Sequence, residues 1–376
     1  MARKQSPKLD VKRFMRQHWQ REPLLVRAAF PGFADPLAPR EVLALAADPD
    51  ADARLVHRRG ASWSVEHGPF SARRIKQLPR RGWTVLVQDT NRFSRAAAEL
   101  LARFDFIPHA RIDDVMVSYA VPGGGVGPHV DSYDVFLLQG RGRRRWRISR
   151  QRNLAFRAGL PLKILEDFVP EQDWVLEAGD MLYLPPGVAH EGVAESECLT
   201  WSIGFRAPAD AELVAGFLDF LRDRLSPEGQ YGDAGAAPAR HPGAIPPALE
   251  RHAARVLGSI RWTRAEAREF TGRFLTEPKA QIHFERPERP LARAAFARRG
   301  AARGVALHPA SRLGFSGTIF FFNGETAPVL PEARAAVRRL ADERRLAAPV
   351  DAPAAFWDAA HAWYLQGFLA FDGDER

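Results

Sequence analysis

Between Leu24 and about Ala207 the chain advances in short apolar runs separated by Gly and Pro: WTVLVQD, VMVSYAVPGG, VFLLQG, RWRIS, WVLEAGDMLYLPPG and LTWSIGF. Runs this short, closed by turn residues, suit strands better than helices. Many short strands with turns between them predict an all-β barrel or sandwich. Two segments differ: Pro39 to Ala47 and Ser94 to Phe104 read as short helices, which gives a β-barrel carrying N-terminal helices.

Beyond Pro208 the period changes. Leu213, Phe217, Phe220, Leu221 and Leu225 recur at helical spacing, so a helix follows the barrel. The Gly-, Ala- and Pro-rich GQYGDAGAAPARHPGAIPP reads as a linker, and helices resume at Ala248 to Leu257 and after Thr263. Thr263 and Glu266 have the spacing of a capping box. From about Arg289 the texture changes again: VALHPASRLGF precedes TIFFFNGETAPVL, whose Asn323-Gly324 is a hairpin signal, and Pro331 to Leu346 and Ala354 to Phe371 are amphipathic. That order fits a small winged-helix-type module with the hairpin as its wing. The predicted division is 1–208, 209–280 and 281–376.

With 46% hydrophobic and 26% charged residues, the chain has the composition of a soluble globular protein. It shows neither an apolar run of about 18 residues nor an apolar core after its basic N-terminus, which predicts a cytoplasmic protein with no membrane span or secretory signal. Cys198 stands alone, so no internal disulfide or thiolate cluster forms, and any metal must be held by nitrogen and oxygen. The net charge of +9 favours an acidic partner, although only six of the 54 basic residues are lysine and the Ala- and Arg-rich composition accounts for much of the excess. The excess is concentrated in two places: residues 1–90 carry 17 basic against 9 acidic side chains, and 141–157 hold eight arginines and no acid.

The stretch VMVSYAVPGGGVGPHVDSYDVFLLQGRGRRRWRI places His129 and Asp131 two apart in a β context, hence on one face. His190 ends the run DMLYLPPGVAH. Two imidazoles and a carboxylate bind Fe(II) on one face of an octahedron and leave three positions, two for a keto acid and one for O2. A His-x-Asp pair alone is common by chance. Here it follows a Gly-rich turn, enters an apolar strand and is answered by a histidine behind Pro185-Pro186-Gly187. His283-Phe284-Glu285, with His308 and His361 downstream, lacks that setting and reads as structural. Gly123, Gly124, Gly125 and Gly127 match no phosphate-binding spacing and read as a tight turn before His129.

Strand alternation sorts the arginine run. If Trp146 and Ile148 face the barrel interior, so does Arg144, while Arg143, Arg145 and Arg147 face out. A buried guanidinium requires an anion, and the distal carboxylate of 2-oxoglutarate matches its fork; a structural salt bridge is the competing reading. Alternation likewise puts Asp114, Met116 and Ser118 on one face, where Ser118 can donate to the co-substrate and Asp114 supplies negative charge near the mouth. Asp113, Asp114, Asp131 and Asp134 together form an acidic patch there. The outward arginines either form a nucleic-acid patch or are simply solvated.

On these residues the chain resembles the JmjC-type 2-oxoglutarate oxygenases, and within them the bacterial ribosomal oxygenases that hydroxylate an arginine of a large-subunit ribosomal protein, number sixteen in the bacterial scheme. HWQREPLLVRAAF, HGPF at His67 to Phe70, RIDDVMVSYAVPGGGVGPHVDSYDVFLLQGRGRRRWRI, LPPGVAHEGVA and SIGFRAP carry the resemblance, which covers about the first 208 residues strongly and the rest by architecture. It implies a mainly β plus α fold: a double-stranded β-helix (cupin/JmjC jelly-roll) barrel, a helical dimerisation region and a winged-helix-like C-terminal domain. It makes His129, Asp131 and His190 the ligands of Fe(2+), and gives 2-oxoglutarate to Arg144 and Ser118. Asp114, Met116 and Tyr133 then line the substrate pocket, with Asp114 on the target guanidinium and Tyr133 beside its plane. The implied protein is a cytoplasmic homodimer that uses O2 to hydroxylate an arginine, at Cβ, of a ribosomal protein, with ribosomal RNA as a further partner and no membrane. A JmjC histidine hydroxylase or lysine demethylase shares the metal chemistry. A non-catalytic ribosome- or RNA-binding module is the remaining alternative, and the intact triad with Arg144 argues against it.

Overall fold

Alternation in the first half of the chain resolves into two antiparallel sheets. Residues 7–60 and 62–374 are described by this computed structural model, and the chain divides into two compact units, Met1–Ala207 and Pro208–Arg376. The first unit contains β1 (Leu24–Val26), β2 (Ala53–Arg59), β3 (Ser62–His67), β4 (Trp83–Val87), β5 (Ile112–Ala120), β6 (Asp134–Gln139), β7 (Arg144–Ser149), β8 (Gln172–Leu176), β9 (Met181–Leu184), β10 (Ala189–Ala194) and β11 (Cys198–Phe205). An eight-stranded sheet runs β1-β9-β6-β11-β5-β4-β2-β3, and a three-stranded sheet runs β10-β7-β8.

The central strands of the large sheet, β4, β6, β9 and β11, are buried on both faces, which is why they read as nearly continuous apolar runs. On one face, Phe136 and Leu138 of β6 join Trp201 and Phe205 of β11 in a core with Phe14 of α1 (Val11–Gln17), Val42 of α2 (Pro39–Leu45) and Leu100 of α5 (Arg95–Leu101). On the other face, Val135 and Leu137 of β6 and Leu182 and Leu184 of β9 pack with Trp146, Ile148 and Leu176 of the small sheet. Each such buried side chain contributes about 1.5–3 kcal/mol. Two further helices, α3 (Ala72–Lys76) and α4 (Thr90–Phe93), link strands of the large sheet.

Alternation also corrects one expectation. Asp134 begins β6 on the helix-packed face and does not belong to a patch at the mouth. It is fully buried and accepts hydrogen bonds from Tyr183 Oη at 2.5 Å, Arg111 at 3.1 Å and Gln20 Nε2 at 3.2 Å.

The second unit comprises α6 (Asp210–Arg222), α7 (Pro247–Leu257), α8 (Arg264–Thr276), α9 (Arg293–Arg303), β12 (Gly304–Leu307), β13 (Leu313–Ser316), β14 (Ile319–Phe322), β15 (Glu325–Ala327), α10 (Arg334–Glu343), β16 (Arg345–Ala347), α11 (Ala354–Leu365) and β17 (Leu369–Phe371). Two three-stranded sheets, β16-β12-β17 and β13-β14-β15, share a core built on Phe296, Val337, Phe356 and Trp363. The capping box forms: Glu266 N–H donates to Thr263 Oγ1 at 3.2 Å and Thr263 N–H to Glu266 Oε2 at 2.7 Å. Asn323 and Gly324 take φ of 49° and 85° in the β14–β15 turn, as expected. The last two helices are shorter than their sequence patterns, because RLA and LAF pair as strands with β12. Three residues are too few to register as a period of two. Among the described residues no helix is long and apolar enough to cross a membrane.

Candidate metal centre

The Gly-rich loop after β5 lies against β10. Gly123 N–H donates to Ala194 O at 2.7 Å and Ala194 N–H to Gly124 O at 2.9 Å, and a Cβ on Gly125 would sit 2.4 Å from Gly192 O. Continuing along β10, the chain brings His129 opposite His190, where each backbone N–H donates to the other's carbonyl, at 3.0 and 2.8 Å. Directly opposed residues in an antiparallel pair project to the same side. The imidazole centroids are accordingly 4.2 Å apart.

Each ring contacts the carbonyl two residues earlier through Nδ1: His129 to Gly127 O and His190 to Val188 O, both at 2.9 Å. A donating Nδ1–H fixes the tautomer that leaves Nε2 as a lone-pair donor. Asp131 leaves the ladder after the bridge, and Gly187 N–H of the Pro-Pro-Gly turn holds its carbonyl at 2.8 Å. Its Oδ2 lies 3.5 Å from His190 Nε2 and 3.9 Å from His129 Nε2. Ligand atoms of all three residues fall within 4.8 Å of one another.

Electrostatics prepare these donors. The His129 imidazolium is pushed down to about 4, first by burial and then by facing His190, so the ring is neutral near pH 7. Burial works to raise the Asp131 carboxyl, but the adjoining His190 and His129 rings and Tyr133 hold it below its usual range. Two imidazoles and one carboxylate fit a six-coordinate Fe(II) with open positions.

Arg144 faces the same interior. In the β10–β7 register His190, Gly192 and Ala194 oppose Ile148, Trp146 and Arg144. The guanidinium is 3% exposed; it donates to Ser118 Oγ at 2.9 Å, Gly192 O at 3.2 Å and Thr200 Oγ1 at 3.3 Å, and lies over the Trp146 ring. Among the described residues no carboxylate pairs with it, and its Nε has no partner. The salt-bridge alternative therefore fails. The Ser118 hydroxyl accepts from Arg144, and its own proton has no acceptor among the described residues.

The three substrate-pocket residues converge less tightly. Asp114 is buried on β5 and accepts from Asp89 N–H at 2.9 Å, and Met116 is half-buried on the same face. The Tyr133 hydroxyl is raised above its ordinary value by burial and by Asp131, Asp114 and Asp113.

Three site residues escape the sequence reading. Gln139 Nε2 donates to Leu199 O at 3.0 Å and Arg141 O at 3.3 Å, which turns Oε1 toward the Thr200 hydroxyl at 3.1 Å. Thr200 therefore spends its proton on Gln139 and offers Arg144 a lone pair. The available signal was the alternation of small polar Thr200 and Ser202 within an apolar strand. Gly192 is required by space, since a Cβ there would sit 2.7 Å from the Trp146 ring and 2.8 Å from Arg144 Nε. Thr200→Val should raise the 2-oxoglutarate KM by about 2–10-fold, the worth of one hydrogen bond, with Thr200→Ser close to wild type in steady-state assays.

Elsewhere the outcomes are plain. Arg145 pairs with Asp173 and Glu195 at 2.9 and 3.1 Å, Arg147 with Glu191, and Arg150 with Glu22 at 2.7 Å, so much of the outward run is neutralised. His283 and Glu285 join no metal cluster among the described residues; His361 bonds Leu291 O at 2.9 Å and Phe284 packs on His308.

Comparison with known proteins agrees with this geometry. The JmjC domain family matches residues 99–213, and a ROXA-like winged helix matches 259–370. The chain is 37% identical over 279 residues to the ribosomal protein uL16 3-hydroxylase of Escherichia coli, covering 74% of each. It superposes on YcfD, a ribosomal oxygenase from Escherichia coli in complex with cobalt and 2-oxoglutarate, with a TM-score of 0.82 at 32% identity over 98% of this chain and 99% of that one. A shorter likeness, 40% over 87 residues, links it to the bifunctional lysine-specific demethylase and histidyl-hydroxylase NO66 of Dictyostelium discoideum, covering 21% of this chain and 16% of that protein. With a cupin-type JmjC fold, a winged helix and similarity along most of its length to a ribosomal protein hydroxylase, this chain belongs to the JmjC-domain ribosomal oxygenases.

Proposed function

We propose that this chain is an Fe(II)- and 2-oxoglutarate-dependent oxygenase that hydroxylates an arginine, at Cβ, of the large-subunit ribosomal protein uL16; the name of its Escherichia coli relative, a uL16 3-hydroxylase, supports the protein and the position. The observation that carries the reading is a preset His129, Asp131 and His190 donor set in the same interior as a buried guanidinium lacking an anion. Fe(II) and 2-oxoglutarate, when bound, supply the oxidising chemistry, coupling keto-acid decarboxylation to insertion of one atom of O2 into a C–H bond.

The chain's own residues then bind and orient. His129 and His190 would hold the ion through Nε2 and Asp131 through a carboxylate oxygen. Arg144 takes the distal carboxylate of the keto acid as a fork, with Ser118 donating its spare proton. Asp114 receives the target guanidinium, Met116 forms an apolar wall, and Tyr133, kept protonated, packs beside the guanidinium plane. The apolar residues between the sheets keep the site dry, which strengthens each contact.

In this reading residues 1–208 form the catalytic domain around a double-stranded β-helix. Residues 209–280 form a helical dimerisation region, in support of which Val214, Leu218, Leu257 and Trp262 are between 57% and 66% exposed on or beside its helices. Residues 281–376 form a winged-helix-like domain. The partners are the ribosomal protein, ribosomal RNA and a second copy, in the cytoplasm. Incubation with uL16, Fe(II), ascorbate and 2-oxoglutarate should add the mass of one oxygen atom to a single arginine. Oxygen on a histidine, or loss of methyl from a lysine, would refute the substrate assignment.

A further inference from the structure

Residues 54–81 contain eight basic side chains and one acid. That acid, Glu66, is held by Arg74, with Nε at 2.9 Å. Arg59, Arg73, Lys76, Arg80 and Arg81 are all exposed, and among the described residues none is in an ion pair. The contrast with the 145–150 run is direct: there acids answer most of the cations, and here Glu66 answers Arg74 alone.

Local structure gathers these cations along one sheet edge. The Arg74–Glu66 pair fastens α3 to β3, the edge strand. Arg58 N–H donates to Gly82 O at 2.8 Å, and Trp83 Nε1 to Pro79 O at 2.6 Å, which ties the loop bearing Arg80 and Arg81 beside the β2–β3 hairpin. Beneath them His57 is held below its ordinary value by burial, then by Arg59 and Arg74. The edge also adjoins the metal loop: a Cβ on Gly127 would lie 3.1 Å from the Trp63 ring of β3, and Gly127 O is the carbonyl that orients His129.

We propose that this edge, β3 with α3 and the loop that follows, is an RNA-docking surface that presents the catalytic site to a ribosomal protein still bound to its RNA. An unpaired cluster of like charge repels itself, and a polyanion relieves that cost. Four of the five cations are arginines, whose forks fit phosphate oxygens. A basic ribosomal protein would be repelled by this edge, whereas the RNA it carries would be attracted; this step rests on the substrate reading above.

The test is anisotropy of a short fluorescein-labelled RNA duplex, titrated with the full-length protein at several salt concentrations. Arg59→Gln/Arg80→Gln/Arg81→Gln, all surface changes, should bind at least about tenfold more weakly, with the log-log salt slope reduced by about 0.9 for each phosphate that is no longer neutralised. Hydroxylation of free uL16 should stay within about twofold of wild type, while hydroxylation of uL16 in ribosomal particles falls. Equal RNA affinity and slope for the two proteins, or preference of the wild type for polyglutamate over RNA, would overturn the proposal. The binding measurement needs no turnover, so its failure and a failure of uL16 hydroxylation are separate results.

Discussion

Replacing His129, Asp131 or His190 with alanine should empty the site of metal and take product formation below detection, well beyond the roughly 10–100-fold cost of losing an outer partner of a metal ligand. Three donors converge among the described residues, so each substitution leaves only two. The histidine variants should nevertheless stay folded, because the 129–190 bridge is made by backbone groups that alanine retains. Metal content after loading with Co(II) and gel filtration, thermal melting, and the mass of the product together read the result. A folded variant that keeps near-wild-type turnover would end the ligand assignment.

Why this triad was legible, and what was not, follows from the range of the interactions. His129, Asp131, the Gly-rich entry and the Pro-Pro-Gly exit are local patterns, and the alternation that turned Arg144 inward needs only its own strand. Register is different. Nothing in the sequence pairs His129 with His190, and neither the carbonyls that orient the rings nor the Gln139–Thr200 pair behind Arg144 can be read before the strands are aligned. The same limit misplaced Asp134, whose face is set by where β6 begins. It also hid the difference between the two basic regions, since the acids that neutralise Arg145 and Arg147 come from β8, β10 and the turn after β10.

Arg144→Met is expected to give a protein at least as stable as the ligand-free wild type and nearly unable to use 2-oxoglutarate. A guanidinium 3% exposed has lost its hydration, and burial lowers its pKa from the ordinary value. Bonds to Ser118, Thr200 and Gly192 replace only part of that hydration, since Nε has none. Exchanging buried charge for an apolar side chain of similar length is often neutral or stabilising by about 1–4 kcal/mol. Truncating one partner of a buried charge pair costs about 2–5 kcal/mol of binding, so the 2-oxoglutarate KM should rise on the order of 30- to 5,000-fold. Arg144→Lys should fall between, keeping the charge and losing the fork. Melting curves with and without 2-oxoglutarate decide the matter: the wild type should gain stability from the ligand and the Met variant should gain none. Should that variant melt far below wild type and still respond to 2-oxoglutarate, Arg144 would be a structural cation and the anion would bind elsewhere. If the prediction holds, the fold carries an uncompensated charge in its interior that only the co-substrate completes, so ligand affinity and ligand-free stability are set against each other at one side chain.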